Sequence, residues 1–209
     1  MMKNVKRPVV PPGRPRIYGF RKFGYILLPP SALLFVGAIV QSVSYFRDTG
    51  SELDDTIANI VVAIIAFAVI LFFLKHEEGV DENKVWTNFG GRHKEVRFDQ
   101  IERMSYKYNS NSQYGYRVYS ANTSVLFKYG FRDYSLALLR ILQELPKRTI
   151  QIDRVPPHDP RWEAKANAER KRIFDELRIR HQRYFEERPD QLEKLKQLAT
   201  MPLAPSLAS

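Results

Sequence analysis

The chain has 209 residues and a net charge of +10, with 33 Lys and Arg against 23 Asp and Glu, and it contains no cysteine. The missing thiols exclude a disulfide framework, a thiol nucleophile and any Cys-based metal site. The charge is uneven: residues 1–23 carry seven Lys or Arg and no acid, whereas 47–56 carry one Arg and four acids, so each segment is read separately.

Met1 to Phe23 is basic and interrupted by Pro8, Pro11, Pro12 and Pro15, which rules out a regular helix. Residues 1–24 are expected to form a basic, Pro-rich cytoplasmic arm. It reads either as an interfacial anchor with Tyr18, Phe20 and Phe23, or as the positive flank that orients a following span. Tyr25 to Phe46 is an apolar segment with Pro29 and Pro30 near its start, where a first turn tolerates proline. It predicts a first transmembrane helix over 25–46, with a cleaved signal peptide as the competing reading.

Arg47 to Thr56 is a short acidic connector, and Ile57 to Leu74 follows as eighteen residues whose only polar side chain is Asn59. As a helix this run is about 27 Å long, close to the roughly 30 Å of bilayer hydrocarbon. It predicts a second span over 57–74, joined to the first by the extracytoplasmic loop 47–56. The charge asymmetry then places both termini on the cytoplasmic side of the inner membrane.

Beyond residue 79 the period changes to two. Lys84 to Phe89 and Arg92 to Phe98 flank Gly90-Gly91, a strong two-residue hairpin signal. Ile101 to Tyr108, Tyr114 to Ser120 and Ser124 to Tyr129 read as three further strands. Asp133 to Leu145 carries a helical stripe of Leu136, Leu139, Ile141 and Leu142, stopped by Pro146. The expected fold is a membrane α-hairpin plus an α+β part: a small antiparallel sheet or barrel over 79–150, capped by one helix.

Pro156-Pro157-His158 marks a boundary before a charged helical tail, 156–209. Asp159 and Pro160 open a helix running to Arg188, with apolar positions Trp162, Ala166, Ile173, Leu177 and Tyr184 and a gap at Glu169 and Arg170. This seam, within 160–188, reads as docked on the domain, paired in self-association, bound to another protein, or simply solvated. Pro189 ends it, a Leu192/Leu195/Leu198 stripe follows, and the last residues read as disordered.

The most open functional feature is a basic and aromatic surface, in which Arg92, Lys94, Arg97, Arg103, Lys107 and Arg117 alternate with Tyr106, Tyr108, Tyr114, Tyr116 and Tyr119. Such cations suit anionic lipid headgroups. Glu95, Asp99 and Glu102 intervene, so a solvated face with cross-strand pairs reads the same way. No nucleic-acid-binding motif accompanies it, and none is expected as a partner. The histidines 76, 93, 158 and 181 are scattered, no metal-ligand spacing occurs, and neither an enzyme nor a cofactor is expected.

The order of two apolar segments, GVDENKVWTNFGG, EVRFDQIERM with Phe98-Asp99-Gln100-Ile101, two further strands and DYSLALLRILQEL resembles the membrane-anchored bacterial proteins with a pleckstrin-homology-like domain. The resemblance covers roughly residues 25–150 and implies a pleckstrin-homology-like fold without catalysis. The chain has fewer recognisable strands than the family's seven. The expected function is an integral membrane protein that presents this domain to protein or lipid headgroups at the inner face. The alternative is a scaffolding subunit of a larger membrane complex.

Overall fold

The computed structural model describes residues 11–19, 21–49, 53–109, 113–128 and 132–203. Residues 1–10 of the expected arm, 50–52 of the connector and 204–209 of the tail lie outside these. In chain order the elements are β1 (Arg16–Gly19), α1 (Arg21–Thr49), α2 (Leu53–Leu74), β2 (Glu77–Val80), β3 (Lys84–Phe89) and β4 (Arg92–Arg97). There follow β5 (Arg103–Asn109), β6 (Gln113–Tyr119), β7 (Ser124–Phe127), α3 (Ser135–Glu144) and β8 (Gln151–Ile152). Three helices close the chain: α4 (Trp162–Arg180), α5 (Gln182–Glu187) and α6 (Pro189–Thr200). It divides into two compact units: residues 1–16, 79–86 and 94–209, and residues 17–78 with 87–93.

In the second of these units, α1 and α2 pack on each other, with the rings of Phe35 and Phe67 stacked at 5.4 Å between centroids. The helix α1 runs through Pro29 and Pro30 and does not start there. A membrane span needs about 20 consecutive apolar residues on one helix. Among the described residues, no helix is long and apolar enough to cross a membrane. The expectation of two transmembrane helices is corrected accordingly, and with it the integral-membrane function and the inner-membrane location. Both helices do present apolar side chains outward, Leu33 at 74% and Val62 at 65% exposure among them.

The hairpin between β3 and β4 forms where the sequence places it. Gly90 and Gly91 both take positive φ, 59° and 84°, as a two-residue turn with the strands' own twist requires. A Cβ on Gly90 would also lie 2.7 Å from the Phe72 ring, so the position is closed to a side chain twice over.

The expected single barrel gives way to two four-stranded sheets, ordered β1-β2-β3-β4 and β7-β6-β5-β8. The three additional strands, β1, β2 and β8, have 4, 4 and 2 residues. In the second sheet β5–β6 and β6–β7 are antiparallel, while β8 lies parallel to β5.

One face of this sheet carries the core of the first unit. Met104, Tyr116, Val118, Val125, Phe127 and Ile152 are each at most 1% exposed. Leu138, Ile141 and Leu142 of α3 and Trp162, Ala166, Ile173 and Leu177 of α4 are buried to a similar degree. Each buried Val, Leu, Ile, Phe or Met among them stabilises the fold by about 1.5–3 kcal/mol.

The charged tail is part of this core. The Trp162 indole Nε1–H donates to Ile150 O at 2.7 Å, which ties the start of α4 to the segment before β8. At the supposed gap, Glu169 is 1% exposed and accepts from the Tyr116 hydroxyl at 2.8 Å and from Arg172 Nη1 at 2.9 and 3.0 Å. Arg170, 2% exposed, donates from Nη2 to Leu198 O at 2.7 Å and so holds α6. The expected single helix over 161–188 breaks at His181, whose ring lies buried against α3.

Candidate binding groove

With one face of the β7-β6-β5-β8 sheet buried, strand alternation sends every second residue to the other face. On β5 the buried Met104 puts Arg103 outward, and on β6 the buried Tyr116 and Val118 do the same for Arg117 and Tyr119. Register then decides which of them meet. Arg103 pairs with Gln151 on β8 and with Tyr119 on β6, and Tyr119 pairs with Ser124 on β7. One cross-sheet row is therefore Gln151–Arg103–Tyr119–Ser124, and all four line a groove of about 490 Å³. Its rim is the turn from Ser120 to Thr123, closed by the Ser120 N–H donating to Thr123 O at 3.0 Å, and Lys94 reaches it from β4.

The Arg103 guanidinium lies 3.8 Å from the centre of the Tyr119 ring, a cation–π contact that orients its planar fork. Burial alone would raise the pKa of the Tyr119 hydroxyl. The side chain of Ser105 and the positive charges of Arg103 and Arg117 outweigh burial and lower it.

A second recess of about 460 Å³ shares Glu102 and Ser120–Asn122 with the groove and adds Asp99, Gln100 and Arg148. Here most charges are engaged. Arg97 donates from Nε and Nη2 to Asp99 at 3.0 and 2.9 Å and holds that carboxyl below its ordinary value of 3.8. Arg148 donates to the carbonyls of Phe98 and Ile101 at 3.4 and 3.2 Å, closing the turn before β5.

Of the six cations singled out from sequence, Lys94 and Arg103 meet in the groove, and Arg117 lies one row below, opposite Ser105 and Leu126. Arg97 is taken by Asp99. Lys107 is exposed opposite Gly115, and Arg92 is exposed at the start of β4 beside the glycine turn; neither lines the groove. Gln151, Ser124 and the turn 120–123 were not legible as site residues, because only the pairing of β8 and β7 brings them to Arg103. Tyr106 and Tyr116 belong to the opposite, covered face, where Arg172 stacks on Tyr106 at 4.1 Å.

The structure also joins a serine, a histidine and an aspartate from separate elements. His181 Nε2 is 2.7 Å from Ser135 Oγ and 3.6 Å from Asp133 Oδ1. A catalytic triad needs carboxylate and serine on opposite ring nitrogens and a path for substrate. Here one nitrogen faces both, Ser135 is fully buried and His181 is 8% exposed. The cluster is a lock: Asp133 caps α3 by accepting from the Ser135 N–H at 3.2 Å and binds Arg16 Nη2 at 2.9 Å. Among the described residues no group of His, Asp and Glu is placed to hold a metal ion.

Comparison with protein-family models, with curated proteins and with solved structures returned no match. The resemblance to membrane-anchored pleckstrin-homology-like proteins is corrected by this result together with the two-sheet topology and the helices described above. That resemblance rested on patterns of hydrophobicity, which many α+β folds share.

Proposed function

We propose that the protein is a non-catalytic binding module that takes a small phosphate-bearing ligand in the groove on the outer face of the β7-β6-β5-β8 sheet. A single observation carries this reading. Among the described residues Lys94 and Arg103 form no ion pair, whereas Lys84, Arg97, Arg161, Lys165, Arg172 and Arg180 each face a carboxylate within 3.2 Å. Two unpaired cations over one polar groove, one of them an oriented guanidinium, match a tetrahedral anion that accepts several hydrogen bonds. The hydroxyls and amides of the 120–124 turn and Gln151 supply further polar contacts around it.

The test is calorimetric titration of the full chain with ethyl phosphate at low and high salt. Saturable binding that weakens as salt rises, and that the Lys94→Ala/Arg103→Ala double variant abolishes, supports the reading. Binding unchanged in that double variant overturns it, as does no binding at all.

A further inference from the structure

Resting on that anion-binding reading, the charge of opposite sign beside the two cations says more about the ligand. Glu102 lines both the groove and the adjoining recess. Its backbone is fixed, since its N–H donates to Tyr119 O at 2.9 Å and its carbonyl accepts from the Gln151 N–H at 2.9 Å. Its side chain is exposed, and among the described residues the carboxylate forms no ion pair and no hydrogen bond. The other acid of the recess, Asp99, is already held by Arg97, and Arg148 is turned to main-chain carbonyls. Across the shared wall, the charges without a partner are two cations and one anion.

We infer that the groove takes a dipolar ligand, with a phosphate at Lys94 and Arg103 joined through a short chain to a protonated amine at Glu102. A ligand that is anionic throughout would set a second negative group against the Glu102 carboxylate. An ammonium there completes an ion pair and leaves the hydroxyl-rich turn to the linking chain.

The experiment titrates the full chain by calorimetry at about pH 8, well above the phosphate's second pKa of about 6, so that monoester probes are dianionic. The probes are ethyl phosphate, 2-hydroxyethyl phosphate, phosphoethanolamine and glycerophosphoethanolamine. Phosphoethanolamine is expected to bind about three- to fivefold tighter than the first two, the range of one exposed ion pair. Glu102→Gln, isosteric and at an exposed position, is expected to abolish that preference, with ethyl phosphate bound at least as tightly as by the natural chain. Equal affinity for the hydroxyl and amine probes overturns the inference alone, as does a preference that survives Glu102→Gln. Failure of every probe to bind removes the anion site itself. Among supporting results, the diester binding as tightly as phosphoethanolamine assigns the dipole to the head of a larger molecule, and a weaker diester assigns it to a free monoester.

Discussion

The two faces of the β7-β6-β5-β8 sheet are made from the same strands and carry similar residues, aromatic and basic, yet their charges are arranged oppositely. On the face covered by α4, Glu169 is enclosed, and Tyr116, Arg172 and the more distant Lys165 at 3.8 Å all converge on it. On the outer face Lys94, Arg103 and Glu102 line one groove without pairing with one another. A buried charge must be matched within the fold because water cannot solvate it. An exposed charge meets no such demand, so leaving it unmatched costs little and keeps it free to meet a ligand.

Substitutions on the two faces are therefore expected to separate stability from binding. The largest effect is expected for Trp162→Ala, which removes a 2% exposed indole and its hydrogen bond to Ile150 O. It is expected to lower the unfolding free energy of the full chain by about 3–5 kcal/mol in urea denaturation. Glu169→Ala comes next, at about 2 kcal/mol, because it removes the acceptor of the buried Tyr116 hydroxyl. The Arg172 side chain is 41% exposed, so water compensates much of its share. Tyr116→Phe, which deletes the hydroxyl and keeps the ring, is expected to cost about 1 kcal/mol. Were Glu169→Ala to leave stability unchanged, the covered face would not depend on its charge pairing.

Smaller still is a pH effect at the Asp133 lock. Burial alone would raise the Asp133 carboxyl, but the His181 ring 3.6 Å away and the Ser135 side chain and backbone N–H hold it well below its ordinary value of 3.8. A carboxyl depressed in the folded state contributes stability that is full above 3.8 and is lost as pH falls below that value. Urea midpoints measured downward from neutral pH are expected to fall more steeply for the natural chain than for Asp133→Asn; parallel profiles would show the lock to be uncharged. The smallest stability change is expected for Arg103→Ala on the open face, within about 0.5 kcal/mol. The same variant is expected to weaken ethyl phosphate binding several-fold, and a large loss of stability instead would mean that Arg103 holds the fold together.

Much of the local structure was legible. The stretches 84–89, 92–98 and 124–129 announce β3, β4 and β7 within two residues, since alternation and the Gly90-Gly91 turn are local signals. The helix α3 follows from its Leu and Ile stripe in the same way. The strands β1 and β2 (RIYG and EEGV) are not apolar runs and β8 has two residues, so none of them carries such a signal. In the tail, Glu169 and Arg170 read as a gap in the apolar seam of the helix. They are buried instead, since the Tyr116 hydroxyl and the Leu198 carbonyl reach them from elements 53 and 28 residues away. The partner of His181, at the break, is equally non-local: Ser135, 46 residues earlier. At the groove, Lys94 and Arg103 were recognisable as cations on strands, but so were Arg92, Arg97, Lys107 and Arg117, and nothing in their spacing told the paired from the unpaired.

By itself the sequence determined where chain direction and period change: the glycine turn, the alternating strands, the apolar helices and the absence of thiol chemistry. These depend on side chains within a few residues of one another, where backbone geometry sets the neighbours. Only the tertiary structure decided which charges are consumed and which are left over. Pairing of Arg103 with Tyr119 and Gln151, or of Glu169 with Tyr116, is a matter of register between distant segments. A shift of one residue in that register would exchange the covered face for the open one.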